Sequence, residues 1–230
     1  MDESHSEEQI AKKEEGLLLP ASIIVAAAMI AGAWIYTSGL EYRENQVKPE
    51  ERVLARALEE VVLPSEGVVL PVAWGDLGMQ MVRSGVVDKE KLEKLYENRG
   101  GFGQDEKKLL ERADNGNIKI TKENSGILLN FFWALGLGTK NTILDGGPMA
   151  DPRYGSTGGF ASTAGWTLAR GSAMDHYSRH KLIVLTPQEQ EKVERVSKNI
   201  FRPCCDNSTY FPDCNHGMAM LGLLELMASQ

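Results

Sequence analysis

Between Gly16 and Glu41 the chain carries no charged side chain, and no other feature of the sequence restricts its fold as strongly. From Leu17 to Thr37 the run is almost wholly apolar. As a helix rising about 1.5 Å per residue it reaches about 31 Å, close to the hydrocarbon thickness of a bilayer. Pro20 falls in the first turn, where a missing amide donor costs little, and Trp34 and Tyr36 stand near the far boundary, where interfacial aromatics concentrate. The stretch reads as a transmembrane helix over 17–38. Two readings compete with it: a cleaved signal peptide, with Ala31-Gly32-Ala33 as a small-residue cleavage site, and a buried soluble helix. The acidic N-terminal region and the continuation of the apolar run past that site favour the anchor.

The organisation expected on this reading is an acidic polar tail (1–16), a single-pass anchor (17–38), a juxtamembrane linker (39–48) and a mostly helical soluble domain (49–230). Membrane lipid is then the partner of the N-terminal helix. Lys12 and Lys13 before the span balance Arg43 and Lys48 after it, so charge counting does not orient the helix. An extracytoplasmic domain is expected because a short N-terminal tail is easily retained inside. Ala27 with Ala31, and Ala28 with Gly32, form small-xxx-small pairs that predict a weak homodimer.

Charge excludes one class of partner. The formal net charge is -7, and residues 1–16 hold six acids against two lysines. The remainder is nearly balanced and offers no basic stripe of the kind a phosphate backbone requires, so no nucleic-acid partner is expected.

Beyond residue 48 the apolar spacing predicts a series of helices. Pro49 opens one that carries Val53, Leu54, Ala57, Leu58 and Val61 and ends before Pro64; a second holds Trp74, Leu77, Met81 and Val82 and stops at Gly85; a third starts at Asp88 as N-cap. A fourth runs from about Gln104 to Ala113, and the Asp114-Asn115-Gly116-Asn117 turn leads into one side of a small hairpin at Ile118-Lys119-Ile120. Thr121 is expected to cap a fifth helix, apolar nearly all round from Ile127 to Leu137 and therefore central. Gly138 to Gly165 reads as a long glycine-rich loop, in which Tyr154 and Phe160, with Trp166 just beyond, suggest a pocket rather than a solvated linker. A helix is expected over Trp166 to Tyr177, another from Thr186-Pro187 to about Asn199, and a terminal one capped by Asn215.

Chemistry concentrates at the C-terminal end. Of four histidines, His176, His180 and His216 lie there, and so do all three cysteines, Cys204, Cys205 and Cys214. On a helix His176 and His180 share a face, with the spacing of two metal ligands, but Tyr177 stands where a metalloprotease helix places its glutamate. Cys214 and His216 fall at a helix start, where a thiolate and a neutral imidazole are favoured, the states that a metal requires. Cys204, Cys205, Cys214 and His216 form the expected ligand set for Zn, Cu or Fe, with Asp213, His176 or His180 as substitutes. The spacing fits neither a paired CxxC knuckle nor a CxxCH heme attachment, though heme or iron–sulfur iron stays among the options. Two rival readings use the same residues: thiol-disulfide or cysteine-nucleophile chemistry, and a disulfide that staples the terminal helix without catalysis.

Overall fold

The computed structural model describes residues 48–62, 64–97 and 99–230. Among them no helix is long and apolar enough to cross a membrane. The single-pass topology expected from sequence, with its lipid partner, its extracytoplasmic placement and its homodimer contact, therefore does not stand, and the segment 17–38 on which it rested lies outside the described residues. The chain divides into two units at Val62/Leu63. Helix α1 (Pro49–Val62) belongs to the first, and its start carries Glu50 and Glu51 at the positive end of the helix dipole.

The second unit is mainly helical. Strand β1 (Val68–Gly75) is followed by α2 (Leu77–Ser84), α3 (Lys89–Glu97), α4 (Gln104–Glu111) and β2 (Asn115–Ile120). The strands β1 and β2 pair antiparallel, Val68 opposite Ile120 and Gly75 opposite Asn115, with an irregularity between Val69 and Ala73. Pro71 lies within that interval, and a proline has no N–H to give to a ladder. Gly85 closes α2 with φ +85°, its N–H reaching Met81 O and Val82 O, a left-handed cap that glycine adopts without a Cβ penalty.

Helix α5 (Ser125–Gly138) forms the middle of the core, as its all-round apolar sequence requires. It begins later than expected: Thr121 Oγ1 accepts from Asn124 N instead of capping the helix. Phe131, Leu135 and Leu137 are fully buried, and Trp74 from β1 stacks on Phe131 at 6.0 Å and meets Phe132 edge-on at 5.9 Å. The indole N–H of Trp74 donates to Leu109 O at 2.8 Å, so the tryptophan is buried with its polar atom satisfied. The C-terminal helix α9 (Asn215–Ala228) lies directly on α5. A Cβ on Gly222 would fall 2.5 Å from Phe132 O, and one on Gly136 would fall 2.1 Å from Met218 O, so glycine on both sides lets the two backbones touch.

Between these two helices the chain is more ordered than a glycine-rich loop. Helix α6 (Thr142–Gly146) is capped by Asn141, whose Oδ1 accepts from Ile143 N at 2.8 Å. Three 3-10 turns and the short α7 (Ala161–Ala164) follow. The helix expected over Trp166 to Tyr177 does not form. Gly171 has φ +77° and Ser178 φ +50°, while Ser172 and Asp175 close a capping box around one 3-10 turn at Ala173–Asp175. Trp166 is drawn instead into the core, where its ring lies 5.1 Å from that of Trp133 and its N–H donates to Val86 O. Helix α8 (Pro187–Asn199) starts as its sequence predicts, with Thr186 and Glu189 forming a reciprocal capping box.

Candidate metal centre

Helix α8 hands the chain to a miniature hairpin, β3 (Phe201–Arg202) and β4 (Asn207–Ser208), in which Phe201 faces Ser208 and Arg202 faces Asn207. The four residues between the strands contain Cys204 and Cys205. Cys205 N donates to Arg202 O at 3.1 Å, and Asp206 takes φ +53°, a conformation that a short polar side chain tolerates. The tight reversal is what presents two adjacent cysteines at the tip. Thr209 N then bonds Ile200 O and Tyr210 N bonds Ser197 O, returning the chain to the end of α8 and on to the start of α9.

Cys214, not Asn215, is the N-cap of α9. Its backbone is extended (φ -122°, ψ 169°), and its Sγ accepts from Gly217 N at 3.4 Å. The sulfur thus occupies the place where a serine or aspartate oxygen usually satisfies an orphan N–H. Two further donors converge on it. Arg202 Nη1 lies 2.8 Å away, and the Cys205 thiol donates to it at 3.3 Å. Cys204 Sγ lies 3.5 Å from Cys205 Sγ. All three sulfurs lie within 4.8 Å of one another, a cluster capable of coordinating a metal ion. Cys204 is exposed and the other two are half-buried. Four sulfurs around zinc at about 2.3 Å are about 3.8 Å apart, so a modest spreading of this set accommodates an ion.

All three cysteines are free. The shortest sulfur separation, 3.3 Å, is far beyond the about 2.05 Å of an S–S bond. No disulfide forms, so the disulfide staple is overturned, and Arg202 ties the terminal helix down instead. The guanidinium is 7% exposed; its Nη2 donates to Ser208 O at 3.2 Å and to Asp213 Oδ1 at 2.9 Å, and also to Asn207 Oδ1 and Phe211 O. Asn207 Nδ2 donates to the other oxygen of Asp213 at 2.9 Å. A Cβ on Gly217 would lie 2.4 Å from Arg202 Nη1, so glycine there makes room for the guanidinium. The Cys205 thiol is pushed up to about 12, first by the hydrogen bond that it gives Cys214, then by burial and the contact with Cys204. An ion bound at neutral pH therefore displaces its proton.

The structure separates the other residues expected at the site. His216 is exposed in the first turn of α9, and its ring is not among the ligand atoms of the cysteine set. His176 and His180 pair with each other: His176 Nδ1 and His180 Nε2 are 2.9 Å apart, while His176 Nε2 lies 2.8 Å from Arg170 O. A carbonyl only accepts, so His176 carries a proton on Nε2 toward Arg170 O. Burial, followed by neighbouring His176 and Arg179, lowers the pKa of His180. No third ligand atom among the described residues joins this pair within 4.8 Å. Tyr154 and Phe160 meet in an aromatic group completed by Phe211, with ring centres 5.2 to 5.9 Å apart. Trp166 lies elsewhere, in the core. Ser162 N donates to Asp213 O at 2.9 Å, so the glycine-rich segment touches the approach to Cys214.

No family model, curated protein or solved structure matches the chain. The chemistry of the centre therefore rests on its own geometry. Arg202, Asn207 and Gly217 complete that geometry without any signal in periodicity or spacing. A glycine in the first turn of an otherwise apolar helix is the one sequence mark of the close approach. Away from the cysteines, an open cleft of about 740 Å³ is bounded by Lys140, Asn141, Ile183, Gln190 and Glu194. Behind Asn141 lies Glu225, fully buried on α9 and accepting from Asn141 Nδ2.

Proposed function

We propose that this protein binds one thiophilic metal ion through Cys204, Cys205 and Cys214. The observation that carries the reading is the convergence of the chain's three cysteines, two from a hairpin tip and one from a helix N-cap, within 4.8 Å. Thiolate sulfur selects copper(I), zinc or iron over hard cations. The Arg202 guanidinium supplies one positive charge beside Cys214 Sγ, and an ion bound among the three sulfurs compensates the thiolate charge that remains. His216 stands exposed and outside the sulfur set, so its removal leaves the three-sulfur site intact. An all-cysteine iron–sulfur cluster needs four thiolates, and this chain has three cysteines.

Elemental analysis of full-length protein purified without added metal, with free thiols counted in parallel, tests the reading. One equivalent of zinc, copper or iron that is lost in Cys214→Ser and retained in His216→Ala is the expected result. An absorption spectrum separates heme or cluster iron from a colourless ion. Metal-free protein that also fails to take up zinc(II) or copper(I) in titration would refute the site.

A further inference from the structure

Arg202 performs the mechanical task that a structural ion performs in other small cysteine loops. Through Asn207, Ser208, Phe211, Asp213 and Cys214 it ties both strands of the hairpin to the N-terminus of α9. In structural zinc sites the ion itself is the cross-link, four ligands close around it, and the loop is unformed without it. Here the cross-link is an organic cation buried beside the sulfurs, with Gly217 leaving the space for it. Of the three thiols, Cys204 is exposed, while Cys205 and Cys214 are half-buried and Cys214 Sγ is held against the hub by Arg202 Nη1 at 2.8 Å. No fourth cysteine, histidine or carboxylate atom among the described residues belongs to the same close set.

A site with three sulfurs, open to solvent at Cys204, suits an ion that arrives and leaves. Resting on the three-sulfur reading, we infer that the ion is cargo: copper(I), passed by ligand exchange to a pair of thiolates of a partner protein. Monovalent copper is satisfied by three soft sulfurs, whereas zinc ordinarily fills four positions. The incoming thiolate approaches from the side of exposed Cys204 and forms a new copper–sulfur bond as the bond to Cys204 Sγ breaks. A second thiolate of the partner then bonds copper as the bonds to Cys205 Sγ and Cys214 Sγ break, so the ion leaves two-coordinate on the partner. Copper stays monovalent throughout and no electron is transferred. Where the incoming group is a thiol, its proton passes to the thiolate that it displaces. The Arg202 hub holds the emptied loop in shape for the next ion.

The test uses the full chain loaded anaerobically with one equivalent of copper(I). It is challenged with bicinchoninate, which becomes coloured on taking the ion, while amide hydrogen exchange across residues 200–217 is compared with and without copper. Loop protection should change less than about fivefold on loading, and the release rate should rise in proportion to chelator concentration. A tenfold excess of zinc(II) should leave the copper in place. Loss of loop protection beyond fivefold in the metal-free protein would make the ion structural and overturn the inference. A release rate independent of chelator, or displacement of copper by zinc, would overturn it as well. Asn207→Ala, which deletes one acceptor of the hub, should loosen the metal-free loop at least fivefold; unchanged protection would show that Arg202 is not the support. Failure to bind either ion is a separate outcome that removes the three-sulfur reading itself.

Discussion

Replacing Glu225 by glutamine should stabilise the protein increasingly as the pH rises. The carboxyl group is fully buried, Oε1 accepts from Asn141 Nδ2, and Oε2 has no partner. Burial raises its pKa well above that of an ordinary glutamate, with the Asn141 hydrogen bond opposing more weakly. The folded protein therefore binds one more proton than the unfolded chain at any pH between the unfolded value of 4.5 and the higher folded value. Stability associated with this group is fully present below the unfolded value and is lost as pH rises toward the folded one, the reverse of a salt-bridged carboxylate. The slope is roughly 1.4 kcal/mol per pH unit. Glutamine keeps the acceptor for Asn141 and does not titrate. Urea unfolding of wild type and Glu225→Gln between about pH 5 and about pH 8 reads the difference, which cancels groups common to both, His180 included. With m near 2 kcal/mol/M, each pH unit between the unfolded and the folded values should separate the two midpoints by about 0.7 M more. A difference that stays flat, or one in which wild type gains on the variant, would show that Glu225 is ionised in the fold and would refute the reasoning.

Three further outcomes follow from the packing and the site. Gly222→Ala should cost about 3 kcal/mol or more and lower the melting temperature by roughly 10 °C, because its Cβ meets backbone atoms of α5 that cannot rotate away; a shift under about 2 °C would show that the helices separate freely. Trp166→Ala should lose about 3–5 kcal/mol, much as Trp74→Ala does, while retaining the metal stoichiometry of wild type, since both rings are buried in the core and Trp166 stands apart from Tyr154 and Phe160. Selective metal loss in the Trp166 variant, measured at a temperature where it remains folded, would return that ring to the site. Arg202→Met should destabilise the C-terminal loop by about 3–5 kcal/mol, because it strands Asp213 and the carbonyls of Ser208 and Phe211; unchanged proteolysis near residue 205 would contradict this.

Local chemistry made much of the fold legible in the sequence. Thr186-Pro187-Gln188-Glu189 specifies a helix start by its own side chains, Gly85 ends α2 because only glycine enters the left-handed cap freely, and the unbroken apolar surface of α5 can be solvated nowhere. The grouping of cysteines near the C-terminus was also visible, since it needs only counting. The same local reasoning failed where long-range contacts outbid it. Trp166 to Tyr177 has helical spacing, but burial of Trp166 against Trp133 and the Ser172–Asp175 box are incompatible with a continuous helix. The membrane topology drawn from the apolar run over 17–38 finds no spanning helix among the described residues.

What the sequence alone determined is therefore the set of helix boundaries that depend on neighbouring residues, and the gathering of all three cysteines into the C-terminal stretch. Only the tertiary structure decided which groups meet. It brought Cys204 and Cys205 to Cys214, turned His216 outward, paired His176 with His180 away from the sulfurs, and seated Arg202 over Gly217. The physical reason is range: a cap or a turn is closed within four residues, whereas the position of a guanidinium twelve residues from the sulfur it contacts is set by the packing of α8, the hairpin and α9 together.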